Sequence, residues 1–150
     1  MHLFLIENDS TVRESLLSYF KKELISVDST HCGEHGSFLS TAKDYDLIIL
    51  EQDLPKKKGS EICKYLRTQG KTLPIIMITA LSTLNDKLAA FNAGVDDYLT
   101  KPFHIEELYA RIKAIIRRPY EIRPNIITIG SITVDVDRMS VICHRKKIYL

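Results

Sequence analysis

The chain has 150 residues, 45% of them hydrophobic and 27% charged, and its 21 Lys+Arg against 19 Asp+Glu leave a formal charge of +2. That is the composition of an ordinary globular protein and excludes a disordered tail or a fibre, while so small a net charge means that any basic, nucleic-acid-binding footprint must be local. No apolar run approaches the roughly 20 residues of a membrane span, and Cys32, Cys63 and Cys143 form neither a CxxC pair nor a disulfide framework, so a cytoplasmic protein with no membrane partner is expected, its cysteines serving as small apolar residues.

The run Leu3-Phe4-Leu5-Ile6 predicts a short strand, and Asp9 or Ser10 can cap a following helix with Val12, Leu16, Leu17 and Phe20 on its apolar side. A weaker strand is expected around Ile25–His31. The next segment contains Gly33 and Gly36, and Phe38, Leu39 and Ala42 are its expected core face. Leu47-Ile48-Ile49-Leu50 does not alternate, as befits a strand covered on both faces. A helix over Ser60–Gln69 carries Ile62, Cys63 and Leu66 and stops at Gly70; Pro74 leads into the strand Ile75–Ile78. A helix over Leu84–Ala93 ends at Gly94, Tyr98-Leu99 sits in a short strand, and Ile105–Arg118 is a long amphipathic helix.

Alternation of this kind forces right-handed crossovers and predicts an α/β fold, an open parallel doubly wound sheet with helices on both faces. Chemistry in such sheets gathers beyond the carboxyl ends of the strands. The polar residues there are Glu7, Asn8 and Asp9, then Glu51 and Asp53, then Thr79, then Lys101. Acidic groups, a hydroxyl and an ammonium at one edge suit a divalent cation and a phosphoryl group, the carboxylates holding the hard cation and Thr and Lys meeting phosphate oxygens.

After the long helix the composition breaks at Arg117-Arg118-Pro119 and stays broken through Pro124, which predicts a linker over 119–125 between a domain at 1–118 and a unit at 126–150. In that unit Ile127, Ile129, Ile132, Val134, Val136, Met139, Val141 and Cys143 alternate with polar residues, with turns at Gly130-Ser131 and Asp137-Arg138. Two or three small antiparallel strands are expected, too few to bury a core alone.

The segments LFLIEND (3–9), DLIILEQDLP (46–55), Ile78-Thr79-Ala80 and DDYLTKPF (96–103) resemble the receiver domain of bacterial response regulators over about residues 1–118. The tail from Ile126 to Leu150 resembles the amino-terminal β-platform of the winged-helix effector domain in the OmpR/PhoB subfamily. The resemblance implies a flavodoxin-like sheet of strand order 2-1-3-4-5. It also implies aspartyl phosphorylation by a partner kinase with Mg²⁺, a switch built from Thr79 and Tyr98, and a Lys101-Pro102 bond that is cis.

Two departures from the family pattern bear on that activity. The phosphoacceptor position is Glu51, and the acidic pair on the first strand is Glu7-Asn8, so the pocket sums to −2 from Glu7 and Glu51. Glu carries its carboxylate on the order of 1.5 Å farther than Asp, and misplacement of about 1 Å can cost on the order of 100-fold in an in-line transfer. Loss of a charged ligand weakens Mg²⁺, so no cofactor is expected to be required and any residual metal site rests on Glu7 and Glu51. Conversely, an extended carboxylate at 51 can approach Lys101 and Thr79 and imitate part of what a phosphoryl group does. The expected function is therefore a phosphorylation-independent DNA-binding regulator and not an enzyme, with a histidine kinase unneeded. The alternative is a conventional receiver phosphorylated at a surrogate acid, Asp53 or Asp9.

In OmpR/PhoB-type receivers the fourth helix, fifth strand and fifth helix form a two-fold dimer face. The matching residues here are Lys87 with Glu107 and Asp97 with Arg111, and also Asp96 and Lys113, which implies a homodimer in which each pair occurs twice. Promoter DNA, and RNA polymerase beside it, are the implied partners, through a winged-helix domain not completed in this chain; a fragment of a longer regulator is expected, with a natural truncation as the alternative. Arg145, Lys146 and Lys147 could at most touch phosphates, and Lys56-Lys57-Lys58 is a basic loop open to an anionic partner.

Overall fold

The structure, a computed structural model, describes residues 1–121 and the strands at 126–129, 132–135, 140–143 and 146–149, with side chains described through Arg117 and at Ile132. Strands and helices alternate as β1 (His2–Ile6), α1 (Ser10–Lys22), β2 (Ser26–Thr30), α2 (Gly33–Ala42), β3 (Leu47–Glu51), α3 (Gly59–Thr68), β4 (Ile75–Thr79), α4 (Leu84–Ala93), β5 (Asp97–Thr100) and α5 (Ile105–Glu121). The five strands are parallel in the order β2-β1-β3-β4-β5, the expected doubly wound sheet. β3 is buried along its whole length, as its unbroken apolar run requires.

Side chains alternate across the pleat, which splits the core in two. Leu3, Leu5, Leu47, Ile49, Ile76 and Ile78 face α1 and α5, where Leu16, Phe20, Leu108, Ile112 and Ile115 meet them. Phe4, Ile6, Ile48, Leu50, Ile75 and Met77 face the other side, packed with Ile62, Cys63 and Leu66 of α3 and Ala90 of α4. The registers Ile6↔Leu50, Glu51↔Ile78 and Thr79↔Thr100 bring the carboxyl ends of β1, β3, β4 and β5 to one edge.

Helix ends follow recognisable signals. The Asp9 carboxylate caps α1 by accepting from the Thr11 and Val12 N–H groups. A reciprocal pair, Thr83 with Asp86, opens α4. Gly70 and Gly94 leave α3 and α4 at φ 77° and 107°, where a side chain would be strained.

Three expectations need correction. The buried face of α2 is Gly33, Gly36, Ser37 and Ser40, while Phe38 is 67% exposed, Ala42 is exposed and Leu39 is only half-buried. The helix lies too close to the sheet for bulk: a Cβ on Gly36 would stand 2.7 Å from Ile6 Cδ1. α5 does not stop at Arg118 but runs through Pro119 to Glu121. A proline near a helix end forfeits one hydrogen bond while keeping helical φ, so it need not end the helix. The last unit has four strands, not two or three: β6 (Ile126–Ile129), β7 (Ile132–Asp135), β8 (Ser140–Cys143) and β9 (Lys146–Tyr149), antiparallel in that order. The turns expected at Gly130-Ser131 and Asp137-Arg138, the alternating Val136 and Met139, and Arg145 lie outside the described residues; of the linker expected at 119–125, residues 119–121 are helical and 122–125 lie outside the described residues.

The chain divides into units of residues 1–116 and 117–150. No helix among the described residues is long and apolar enough to cross a membrane. Cys63 is buried and free, donating its thiol to the Ala93 carbonyl, whereas Cys32 is only half-buried.

Candidate functional site

The strand ends converge as the sequence predicts, and a single lysine organises them. Lys101 follows β5, and its ammonium donates to Glu51 Oε2 at 2.6 Å and to Glu7 Oε2 at 2.8 Å. Both carboxylates are buried, Glu7 at the end of β1 and Glu51 as the last residue of β3. Each also accepts from backbone two residues on: Glu7 Oε1 from the Asp9 N–H and Glu51 Oε1 from the Asp53 N–H, both at 2.9 Å. The loop after β1 is tied further by Arg13, whose guanidinium donates to the Glu7 carbonyl at 2.8 Å.

Burial alone would lower the Lys101 pKa, but the hydrogen bonds to Glu51 and Glu7, with the charges behind them, more than offset it and hold the pKa above the usual lysine value. The Lys101-Pro102 bond is cis, as the resemblance implies. Thr79 sits at the same edge, buried, but its Oγ1 accepts from the Leu81 N–H at 3.4 Å; the expected partnership with Glu51 is met by Lys101. Tyr98 is turned inward and donates its hydroxyl to the Leu81 carbonyl at 2.6 Å, so Thr79 and Tyr98 both grip the start of the β4–α4 loop. Burial raises the Tyr98 pKa.

Neither surrogate acid enters the pocket. The Asp53 side chain is 76% exposed and paired with Lys58, whose hydrogen bond holds its pKa below the usual carboxylate range. Asp9 is committed to capping α1. In the basic loop, Lys57 donates to Ser37 Oγ at 3.1 Å and lies over the Tyr65 ring, so Lys56 alone extends from that run without a described partner. Among the described residues no group of three or more His, Cys, Asp or Glu side chains is placed to hold a metal ion.

On the α4–β5–α5 face, Arg111 binds Asp97 at 3.2 Å and Glu107 at 3.0 Å within the chain, both raising its pKa with Glu107 first. Lys87 is half-buried on α4, whereas Lys113, expected on this face, lies over the Tyr109 ring, which packs against Tyr19 and Phe20 of α1. Asp96, like Arg111, is paired within the chain. It accepts from the Ile75 N–H at 2.8 Å and from Arg67 at 3.0 Å, a clasp at the start of β4 and β5 that its position before β5 dictates. The same guanidinium also donates to the carbonyls of Gly94, Lys71 and Leu73, partners that carry no side-chain signal in a sequence. Leu84, Leu88 and Phe91 form an exposed apolar row on α4 that sequence reading passed over, because one residue per turn can as well be core.

A family model for the response regulator receiver domain matches residues 3–113. The cell cycle response regulator CtrA of Brucella anthropi is 37% identical over 150 residues, covering 100% of this chain and 65% of that protein; the chain thus spans somewhat under two thirds of the curated relatives it matches. A two-component response regulator from Clostridium difficile superposes with a TM-score of 0.76 at 34% identity over 81% of this chain and 99% of its own. The Thermotoga maritima OmpR/PhoB homolog DrrB does so with a TM-score of 0.69 at 29% identity over 99% of this chain and 66% of its own.

Proposed function

The chain belongs to the response regulator receiver domain family, and from that premise we propose that it is the receiver-bearing part of a DNA-binding transcription regulator that works without aspartyl phosphorylation. One observation carries the reading: the residue at the phosphoacceptor position, Glu51, is already bonded to the Lys101 ammonium at 2.6 Å. Its carboxylate thus has a counter-charge in place without any phosphoryl group. The inward Tyr98, bonded to Leu81, supports a pocket and loop held in one arrangement.

The output is a homodimer through α4, β5 and α5. Leu84, Leu88 and Phe91 supply its apolar centre, and Lys87, Asp97, Glu107 and Arg111 its charged rim. Arg111 can exchange Glu107 for a partner on the second copy at little cost, because an exposed ion pair of that kind contributes at most about 1 kcal/mol. The dimer places two winged-helix units on promoter DNA beside RNA polymerase in the cytoplasm, with no cofactor, no enzymatic activity and no kinase required.

The test is incubation with acetyl phosphate and Mg²⁺ followed by a phosphate-affinity gel. The chain is expected to stay unshifted. A stable phosphoprotein band lost in Asp53→Ala would instead establish the second reading, a conventional receiver with a surrogate acceptor.

A further inference from the structure

A hard divalent cation needs several charged oxygens with free lone pairs turned to one point, in near-octahedral array for Mg²⁺. The residues of this pocket do not offer that. Glu7 Oε2 and Glu51 Oε2 both face one ammonium, at 2.8 and 2.6 Å, and their other oxygens accept from the Asp9 and Asp53 N–H groups. The Asn8 side chain adds a donor where a third carboxylate would add oxygens. Oriented by its neighbours, its amide nitrogen donates to the Asp53 carbonyl at 3.3 Å and to Glu7 Oε1 at 3.2 Å; the reverse orientation would set its oxygen against two acceptors. Each of the four carboxylate oxygens thus already accepts from a donor, and the cluster contains its own cation.

We propose that Lys101 and Asn8 together replace a divalent cation in this pocket, the ammonium neutralising Glu7 and Glu51 and the amide joining the loop after β1 to the loop after β3. The inference rests on the phosphorylation-independent reading and adds how the site is held shut. Lysine suits the task, being a compact charge with three rotatable donors, enough for two carboxylates. Asparagine suits it because an aspartate at position 8 would set a third negative charge against Glu7 Oε1 and the Asp53 carbonyl, a repulsion that a bound cation relieves. Charge therefore sums to −1 over Glu7, Glu51 and Lys101, where Asn8→Asp would make it −2.

The experiment is thermal unfolding of the whole chain in EDTA and in about 10 mM Mg²⁺, with Mn²⁺ binding followed by electron paramagnetic resonance. The wild type is expected to unfold at the same temperature in both buffers and to bind Mn²⁺ no tighter than a surface carboxylate. Asn8→Asp and Lys101→Ala are expected to unfold earlier in EDTA and to recover in Mg²⁺, a cation-specific rescue that loss of packing would not give. Asn8 is exposed, so its variant keeps the test valid should Lys101→Ala fail to fold. A wild type whose unfolding temperature rises with Mg²⁺, or two variants that ignore Mg²⁺, would overturn the proposal. A Mn²⁺-binding wild type that nonetheless resists acetyl phosphate overturns this inference alone, whereas phosphorylation of the chain overturns the functional reading.

Discussion

Replacing Glu51 by Gln keeps the length of the side chain and removes its charge. Glu51 is 4% exposed, with one oxygen on the Asp53 N–H at 2.9 Å and the other on Lys101 at 2.6 Å. A glutamine has one oxygen for those two donors, and its own amide nitrogen must face the other. A buried donor left without an acceptor costs about 1–3 kcal/mol, and a bond to a charged group contributes about 1.5–3 kcal/mol. These overlap, since both describe one broken contact, so the expected loss of stability is about 2–4 kcal/mol. It falls short of the worst case because Lys101 keeps Glu7. Lys101→Met removes the cation from two buried carboxylates and should cost more, about 3–5 kcal/mol. In the double variant the Glu51 term has already gone, so a double-mutant cycle should return a coupling of about 1–3 kcal/mol. Urea unfolding followed by far-ultraviolet circular dichroism at constant m measures it. A coupling below about 0.5 kcal/mol, the scatter of independent sites, would refute the bridge.

Three other outcomes follow from the same structure. Gly59→Ala should destabilise despite alanine's better helix propensity, by about 1–3 kcal/mol, since its Cβ would run into the Glu51 carbonyl oxygen, backbone that cannot step aside; urea unfolding reads it. Because the folded Lys101 pKa lies above 10.5, its stabilisation is complete below that pH and is lost only as pH climbs through the folded value; the stability gap between wild type and Lys101→Met should therefore hold from pH 7 to about 10 and shrink beyond, and a gap that closes below pH 9 would contradict the raised value. Leu88→Asp and Arg111→Glu, on the exposed α4–β5–α5 face, should each halve the molecular mass in solution while leaving circular dichroism intact, and a mass unchanged in both would exclude that face.

The sheet and the site's membership were legible because both follow from simple patterns. Unbroken apolar runs at Leu3–Ile6, Leu47–Leu50 and Ile75–Ile78 read as buried strands, and whatever follows a parallel strand lies at its carboxyl end. The faces of α2 were not legible. Its largest side chain, Phe38, points outward because Gly36 must pass within reach of Ile6, a packing distance that hydrophobicity does not encode. Pro119 reads as a helix stop because a proline usually is one, yet near the end of α5 it forfeits a single hydrogen bond. The partners of Asp96 were not legible either: it stands one residue before β5, and its carboxylate is bound to Arg67 and the Ile75 N–H, a side chain and a backbone group that charge matching does not pair. The central bond was half legible, since the reach of Glu51 predicted Lys101 and Thr79, and the ammonium took the place for which both were expected.

The most direct test is the molecular mass of the purified, unphosphorylated chain by light scattering, alone and with Mg²⁺ and beryllofluoride. The bonded Glu51–Lys101 pocket predicts a dimer present from the start and indifferent to both additives. A monomer that the additives convert to a dimer would show a pocket still waiting for phosphate, and would contradict the account.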